Sequence, residues 1–190
     1  MKHRLSVILE HWATLYKPIS HKPGKGGKKA FYRIHTINDN SEFMRNQNVC
    51  ASPCMAYSIL IDAESSNSKA VNYAHTIYFL SRAVSSTLAT TARQDDELAE
   101  DIHSELDNYA QDLLYYLSRV KATGLCPVTD QPFPKDVVAA LNGLNIDKAE
   151  WASIPIKYGN WNILGIQIEQ VVPRVSCINP SDYNIPDPKP

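Results

Sequence analysis

The chain has 190 residues, 19 Lys+Arg against 20 Asp+Glu, and is 44% hydrophobic. That length and balance suit one domain with an ordinary core and exclude a wholly disordered chain. No apolar run reaches the roughly 18–20 residues of a membrane helix, and Met1–Arg4 leads into an amphipathic segment carrying Glu10 and His11, so neither secretion nor membrane insertion is expected.

The net charge of −1 hides an asymmetry. Met1 to Arg45 holds nine basic and three acidic residues, a balance of +6, and the remainder ten basic and seventeen acidic, a balance of −7. Such a molecule can associate with copies of itself head to side, or offer its basic part to nucleic acid.

In chain order, Leu5, Ile8, Leu9, Trp12, Leu15 and Tyr16 recur at helical spacing, which predicts an amphipathic helix over Arg4–Lys17 stopped by Pro18. Ser20 to Lys29 follows, with three glycines, a proline and four lysines (Lys22, Lys25, Lys28, Lys29), and reads as a mobile cationic loop. It is not a phosphate loop. No glycine stands at the required spacing, no Ser or Thr follows Lys28 or Lys29, and Ala30–Ile37 reads as a strand. Lysines on a tether could still meet phosphates without reading sequence.

Asn38–Ser41 is a turn able to start a short helix through Gln47. Met55–Ala63 and Val71–Ala83 alternate as strands: Met55, Tyr57, Ile59 and Ile61 share one face, as do Val71, Tyr73, His75, Ile77 and Phe79. The polar link Glu64–Lys69 predicts a wide hairpin with a flexible tip. Its Ser66-x-x-Lys69 lacks the buried-helix setting of the serine/lysine hydrolases. A long helix is predicted from about Asp96 to Val120, with Asp95 or Asp96 as cap. Leu98, Ile102, Leu106, Tyr109, Leu113, Tyr116, Leu117 and Val120 form its apolar stripe, acids crowd its early turns, and Gly124 follows as a stop. At 1.5 Å per residue it spans about 37 Å, enough to cross a sheet.

Cys126–Pro134 is a proline-rich loop, and Pro134–Leu141 a short helix closed by Gly143. Lys148–Lys157 and Trp161–Val172 read as a second strand pair around Tyr158-Gly-Asn160. In the last strand Leu164, Ile166 and Ile168 face the core, while Trp161, Ile163, Gln167 and Glu169 face a partly wet side. The domain runs to residue 176. Beyond it, over residues 177–190, the prolines of Asn179–Pro190 forbid helix or central strand, so this is an extended arm.

Cys50, Cys54, Cys126 and Cys177 contain one loose pair and no close histidine partner, so buried free thiols are expected and no metal site. The six histidines are dispersed, and His75, within a strand, reads as a satisfied structural residue. No hydrolase elbow, dinucleotide fingerprint or kinase signature occurs, so neither an enzyme nor a cofactor is expected.

The fold class expected is α+β, an antiparallel sheet of four or five strands packed by the long helix and the N-terminal helix. Ser52-Pro-Cys-Met-Ala-Tyr-Ser-Ile-Leu-Ile-Asp62, Val71–Leu80, the acidic helix Asp96–Leu114 and Gly159–Glu169 together resemble the small neck proteins of tailed bacteriophages, the tail-terminator or head–tail connector class. The similarity is one of pattern, from about Leu5 to Val172; the Gly/Lys loop and the proline arm are additions to it. The resemblance implies a structural virion protein, assembled from the host cytoplasm into a homo-oligomeric ring of the neck or tail. Its partners would be the portal and other neck or tail proteins, with genomic DNA passing through the lumen. Under it, Lys22, Lys25, Lys28 and Lys29 face DNA or a neighbouring protein, and Ser66, Asn67, Lys69, Tyr183, Ile185 and Pro186 are candidate subunit contacts. The alternative is a non-specific nucleic-acid-binding protein that uses the basic N-terminal third.

Overall fold

The structure is a computed structural model, and it describes residues 4–22, 24, 26–34, 50–67, 70–82, 92–152 and 161–173. Its elements in chain order are α1 (Arg4–Leu15), β1 (Phe31–Ile34), β2 (Cys54–Asn67), β3 (Ala70–Arg82), α2 (Ala92–Thr123), α3 (Lys135–Val138), two 3-10 turns (Ala139–Leu141 and Ile146–Lys148), β4 (Glu150–Ala152) and β5 (Trp161–Pro173). The fold is α+β, as the order of sequence patterns predicts. The sheet order is β1-β2-β3-β5-β4.

One feature of the sheet corrects the expectation. Three of its four pairings are antiparallel, but β1 runs parallel to β2, with Phe31 opposite Met55 and Ile34 opposite Ser58. The sheet is therefore mixed. A parallel neighbour requires a connection of about a dozen residues or more, and the chain between Ile34 and Cys54 is long enough to supply it.

Cross-strand rows explain the core. Met55, Phe79 and Leu164 lie in one row, Tyr57, Ile77 and Ile166 in the next, and Ile59, His75 and Ile168 in a third, all on one face. On that face lie both long helices. α1 contributes Leu5, Ile8, Leu9 and Trp12, and α2 contributes Leu106, Leu113, Tyr116, Leu117 and Val120, all buried. Trp12 and Tyr109 both meet Phe79 edge-on, at 6.1 and 6.4 Å. A 12-residue helix is marginal alone in water, so α1 persists because each large apolar side chain it buries contributes about 1.5–3 kcal/mol.

Boundaries moved in informative ways. α1 stops at Leu15, and the chain then closes through Tyr16 N–H to the Trp12 carbonyl and Ser20 N–H to the Tyr16 carbonyl. α2 begins at Ala92, so Asp95 and Asp96 lie within the helix rather than capping it. Its 32 residues span about 48 Å. At its end Gly124 takes φ +71° and returns its N–H to the Val120 carbonyl, the left-handed cap that a Cβ disfavours. The link expected at Glu64–Lys69 is largely strand, because β2 runs to Asn67 and Asn67 pairs with Ala70 after an irregularity that begins at Asp62. The helix expected near Gln47, residues 153–160 of the second strand pair, Cys177 and the proline arm lie outside the described residues.

The wetter side of β5 has the expected members, with one difference. Glu169 is exposed and Gln167 half-buried, but Trp161 is buried because the Arg82 guanidinium lies over its ring at 4.7 Å. Among the described residues no helix is long and apolar enough to cross a membrane.

Candidate functional site

The lysine-rich loop joins α1 to β1, and its base is built from α1, β1 and a buried histidine. His21 sends its backbone N–H to the Ala13 carbonyl at 2.9 Å, and its ring, 4% exposed, accepts the Ala30 N–H on Nδ1 at 3.1 Å. The ring proton therefore sits on Nε2, which faces Glu10 Oε1 at 3.7 Å. Glu10 in turn pairs with Arg33 of β1. One imidazole thus ties together both ends of the loop.

Within the loop, the Lys22 N–H meets the Lys28 carbonyl at 2.9 Å and the Gly27 N–H meets the Gly24 carbonyl at 3.2 Å. A Cβ at Gly27 would collide with the Lys22 carbonyl oxygen, so the close approach needs glycine. Where composition predicts a mobile tether, the structure shows a loop with an anchored base. Lys22 and Lys29 are exposed and Lys28 is half-buried, while the Lys29 ammonium lies 5.0 Å over the Tyr32 ring. Lys25 lies outside the described residues.

A further cation belongs to this end of the sheet. Arg82, the last residue of β3, donates from Nη2 to the Cys50 carbonyl at 3.2 Å and stacks on Trp161. Lys28 and Arg82 both act on the Cys54 thiol, which burial and then Cys50 push upward against them. Sequence reading passed over Arg82, since a lone arginine ending a strand has no motif; only the register that ends β3 beside Cys50 reveals it.

Beside the cationic loop stands the acid-rich flank of α2. Tyr16 donates its hydroxyl to Asp112 Oδ2 at 2.6 Å and Tyr109 donates to Glu105. The Tyr16 ring stacks on Trp12 at 4.4 Å and meets Tyr109 edge-on at 5.5 Å. Burial first, and then these carboxylates, hold both phenols protonated. Glu100, Asp101, Glu105 and Asp112 are exposed. The start of the basic loop and the acid-rich flank of α2 are therefore joined by the aromatic seam of Trp12, Tyr16 and Tyr109.

The hairpin end lies at the other extreme. Ser66 and Asn67 fall at the far end of β2, where the ladder closes through Asn67 and Ala70, and the structure does not bring them to the basic loop. Lys69, Tyr183, Ile185 and Pro186 lie outside the described residues. β1 pairs only with Met55–Ser58, so β2 continues from Ile59 to Asn67 without a strand on that side among the described residues.

Cys50, Cys54 and Cys126 are buried and stand outside any disulfide. Among the described residues, no three His, Cys, Asp or Glu side chains gather as metal ligands would. His75 is the satisfied core histidine that its strand position predicts. Tyr57 Oη lies 2.8 Å from Nδ1, and Gln170 Oε1 lies 2.8 Å from Nε2.

Fold and surface together define a mixed-sheet α+β protein with a stapled cationic loop and an adjoining acidic helix flank. Comparison with protein-family models, curated proteins and solved structures gave no match.

Proposed function

We propose that this chain is a structural, ring-forming component of the neck or tail of a tailed bacteriophage, joining portal to tail around the DNA passage. The observation that carries the reading is the stretch of β2 that outruns β1, from Ile59 to Asn67, with no strand beside it among the described residues. Such an edge takes a strand from a neighbour through main-chain hydrogen bonds. The adjacent cationic and acidic flanks support the same conclusion. Unlike, complementary patches on one protomer favour heterologous contacts, the kind that closes into rings.

The cationic end also supports a second reading, non-specific nucleic-acid binding. Lys22, Lys28, Lys29 and Arg82 supply point charge in one region without a base-reading element. In a ring this surface would face the lumen; in a free protein it would be the whole function.

Native mass spectrometry and negative-stain imaging of the full chain, alone and co-expressed with the portal protein of the same genome, separate the two. Closed oligomers or portal-bound rings are expected. A chain that stays monomeric with the portal present, yet binds DNA in a salt-sensitive way, overturns the ring in favour of the second reading.

A further inference from the structure

The base of the lysine loop is fastened at Ala30, and both backbone groups of that residue are committed. Ala30 is fully buried. Its carbonyl accepts the Met55 N–H at 2.8 Å, at the start of the β1–β2 ladder. Its N–H is taken by a side chain, His21 Nδ1, at 3.1 Å. His21 is itself 4% exposed, and its backbone N–H is tied to α1 through the Ala13 carbonyl at 2.9 Å. A single ring nitrogen therefore closes the loop between α1 and β1.

That bond exists in one protonation state only. Neutral imidazole has one acceptor nitrogen, whereas imidazolium has two donors and no acceptor. A proton on Nδ1 sets two donors against each other at 3.1 Å, with Ala30 shut off from water, and a buried donor left unmatched is costly. Turning the ring over does not help, because both nitrogens then carry hydrogen. His75 is the contrast. Its Nδ1 faces the Tyr57 hydroxyl at 2.8 Å, and a hydroxyl can accept as well as donate, so a proton there is accommodated by rotating one O–H. A backbone N–H can only donate.

The charged groups around the ring give the displaced state a place to go. From α1, Glu10 Oε1 stands 3.7 Å from His21 Nε2 and is the partner that an imidazolium takes. From β1, Arg33 already pairs with the same carboxylate, so a protonated ring shares Glu10 with a guanidinium. The loop itself adds Lys22, the next residue, and Lys28, whose carbonyl accepts the Lys22 N–H at 2.9 Å. The Phe31 ring, 6.1 Å away, is uncharged.

We propose that His21 is a proton-operated latch on the lysine loop. Neutral, the ring holds the Ala30 N–H and closes the loop base. On taking a proton from solvent at Nδ1, it lets go of Ala30, keeps its Nε2–H toward Glu10 as an ion pair, and frees the Lys28–Ala30 end of the loop from α1. Ala30 stays attached to β2 through its carbonyl, so the change is confined to the loop and leaves the sheet in place. Acid thereby loosens the loop's cations without unfolding the protein. The latch belongs to the protomer and holds whether the loop meets DNA, a neighbouring subunit or solvent.

Nuclear magnetic resonance of the full, isotope-labelled chain tests this over a pH series across the imidazole range. Long-range nitrogen–proton spectra show which ring nitrogen carries hydrogen, and amide exchange, corrected for its intrinsic pH dependence, reads the Ala30 N–H. At neutral pH, hydrogen on Nε2 alone and a protected Ala30 are expected. On acidification Ala30 protection should fall about tenfold or more in step with protonation of Nδ1. The Ile77 and Leu113 amides, in the core strands and in α2, should keep theirs. His21→Gln, whose side-chain carbonyl can accept from Ala30 but cannot take up the proton, should hold Ala30 at every pH of the series. Ala30 protection that survives protonation of Nδ1 overturns the proposal, as does hydrogen on Nδ1 at neutral pH. A ring that stays neutral across the series, or until Ile77 and Leu113 lose protection, does the same, and so does a His21→Gln protein with the wild-type response. If His21→Gln does not fold, the wild-type series still decides.

Discussion

Gln170 of β5 holds His75 of β3 through a 2.8 Å bond between Oε1 and the histidine Nε2. The same amide donates from Nε2 to the Ala140 and Asn142 carbonyls, both at 2.8 Å. Because those two acceptors need the NH2 group, the oxygen must face the imidazole, which fixes the proton of neutral His75 on Nε2 and leaves Nδ1 to accept from Tyr57. One buried side chain thus joins the core of the sheet to the 3-10 turn outside it.

Gln170→Glu preserves the shape and removes both donors, setting a carboxylate against two carbonyls. It should lower folding stability by about 2–4 kcal/mol, read as a fall in the urea midpoint with unchanged slope. Gln170→Met, which removes the amide without adding charge, should cost less. Equal losses would mean that packing, not the hydrogen bonds, governs the site.

Gly143 is a second tightly constrained point beside β5. It sits at φ +73°, its carbonyl accepts the Val171 N–H at 3.1 Å, and a Cβ there would strike the Val171 carbonyl oxygen. Gly143→Ala should therefore cost about 2 kcal/mol or more in chemical denaturation. The nearby Asn142→Ala should leave the transition within about 0.5 kcal/mol, since its side chain is exposed and its bonds to Ala139 and Gln170 are made by its backbone.

The Cys126 thiol makes stability depend on pH. Its folded value of about 6 lies below the unfolded value near 9, so the folded state releases the proton first. That stabilisation is fully present above the unfolded value and is lost as pH falls through 6. Between these limits wild type should gain on Cys126→Ser as pH rises. Urea midpoints of the two proteins at pH 5.5, 7 and 8.5 check the sign, and a constant difference would show that the thiol does not ionise early.

Replacing Lys22, Lys28 and Lys29 together by Gln leaves the loop base intact, because His21, Ala30 and the backbone bonds form it. Thermal melting should not change, while any DNA retention should weaken. The slope of log affinity against log salt should fall by about 0.7–0.9 for each lysine that met a phosphate.

Deleting Pro180–Pro190 should impair assembly with the portal and leave the thermal transition of the protomer nearly unchanged. A large drop in that transition would assign the arm to the protomer core.

Much of the fold is local information. The alternation of Met55, Tyr57 and Ile59 and the three-and-four stepping from Ile102 to Val120 each state their period directly, and the structure places these side chains on the core side. What was not legible depends on distance along the chain. Nothing in Phe31–Ile34 declares a parallel partner, because register with Met55 is decided by the crossover and not by the strand itself. The polar run after Asp62 reads as a turn, although β2 extends to Asn67 and the ladder resumes there, opposite Ala70. His11 and Phe133 form no motif, since their edge-on contact is made by α1 lying beside the loop that follows α2. Arg82 and Lys28 converge for the same reason.

The docking of α1 has a consequence for biosynthesis. This helix emerges from the ribosome before the residues that cover it: Trp12 rests on Phe79, Tyr16 on Tyr109, and His11 leans on Phe133. At cellular elongation rates those covers arrive on the order of ten seconds later. For that interval the apolar face of α1, with Leu5, Ile8, Leu9 and Trp12, has none of the later residues that bury it.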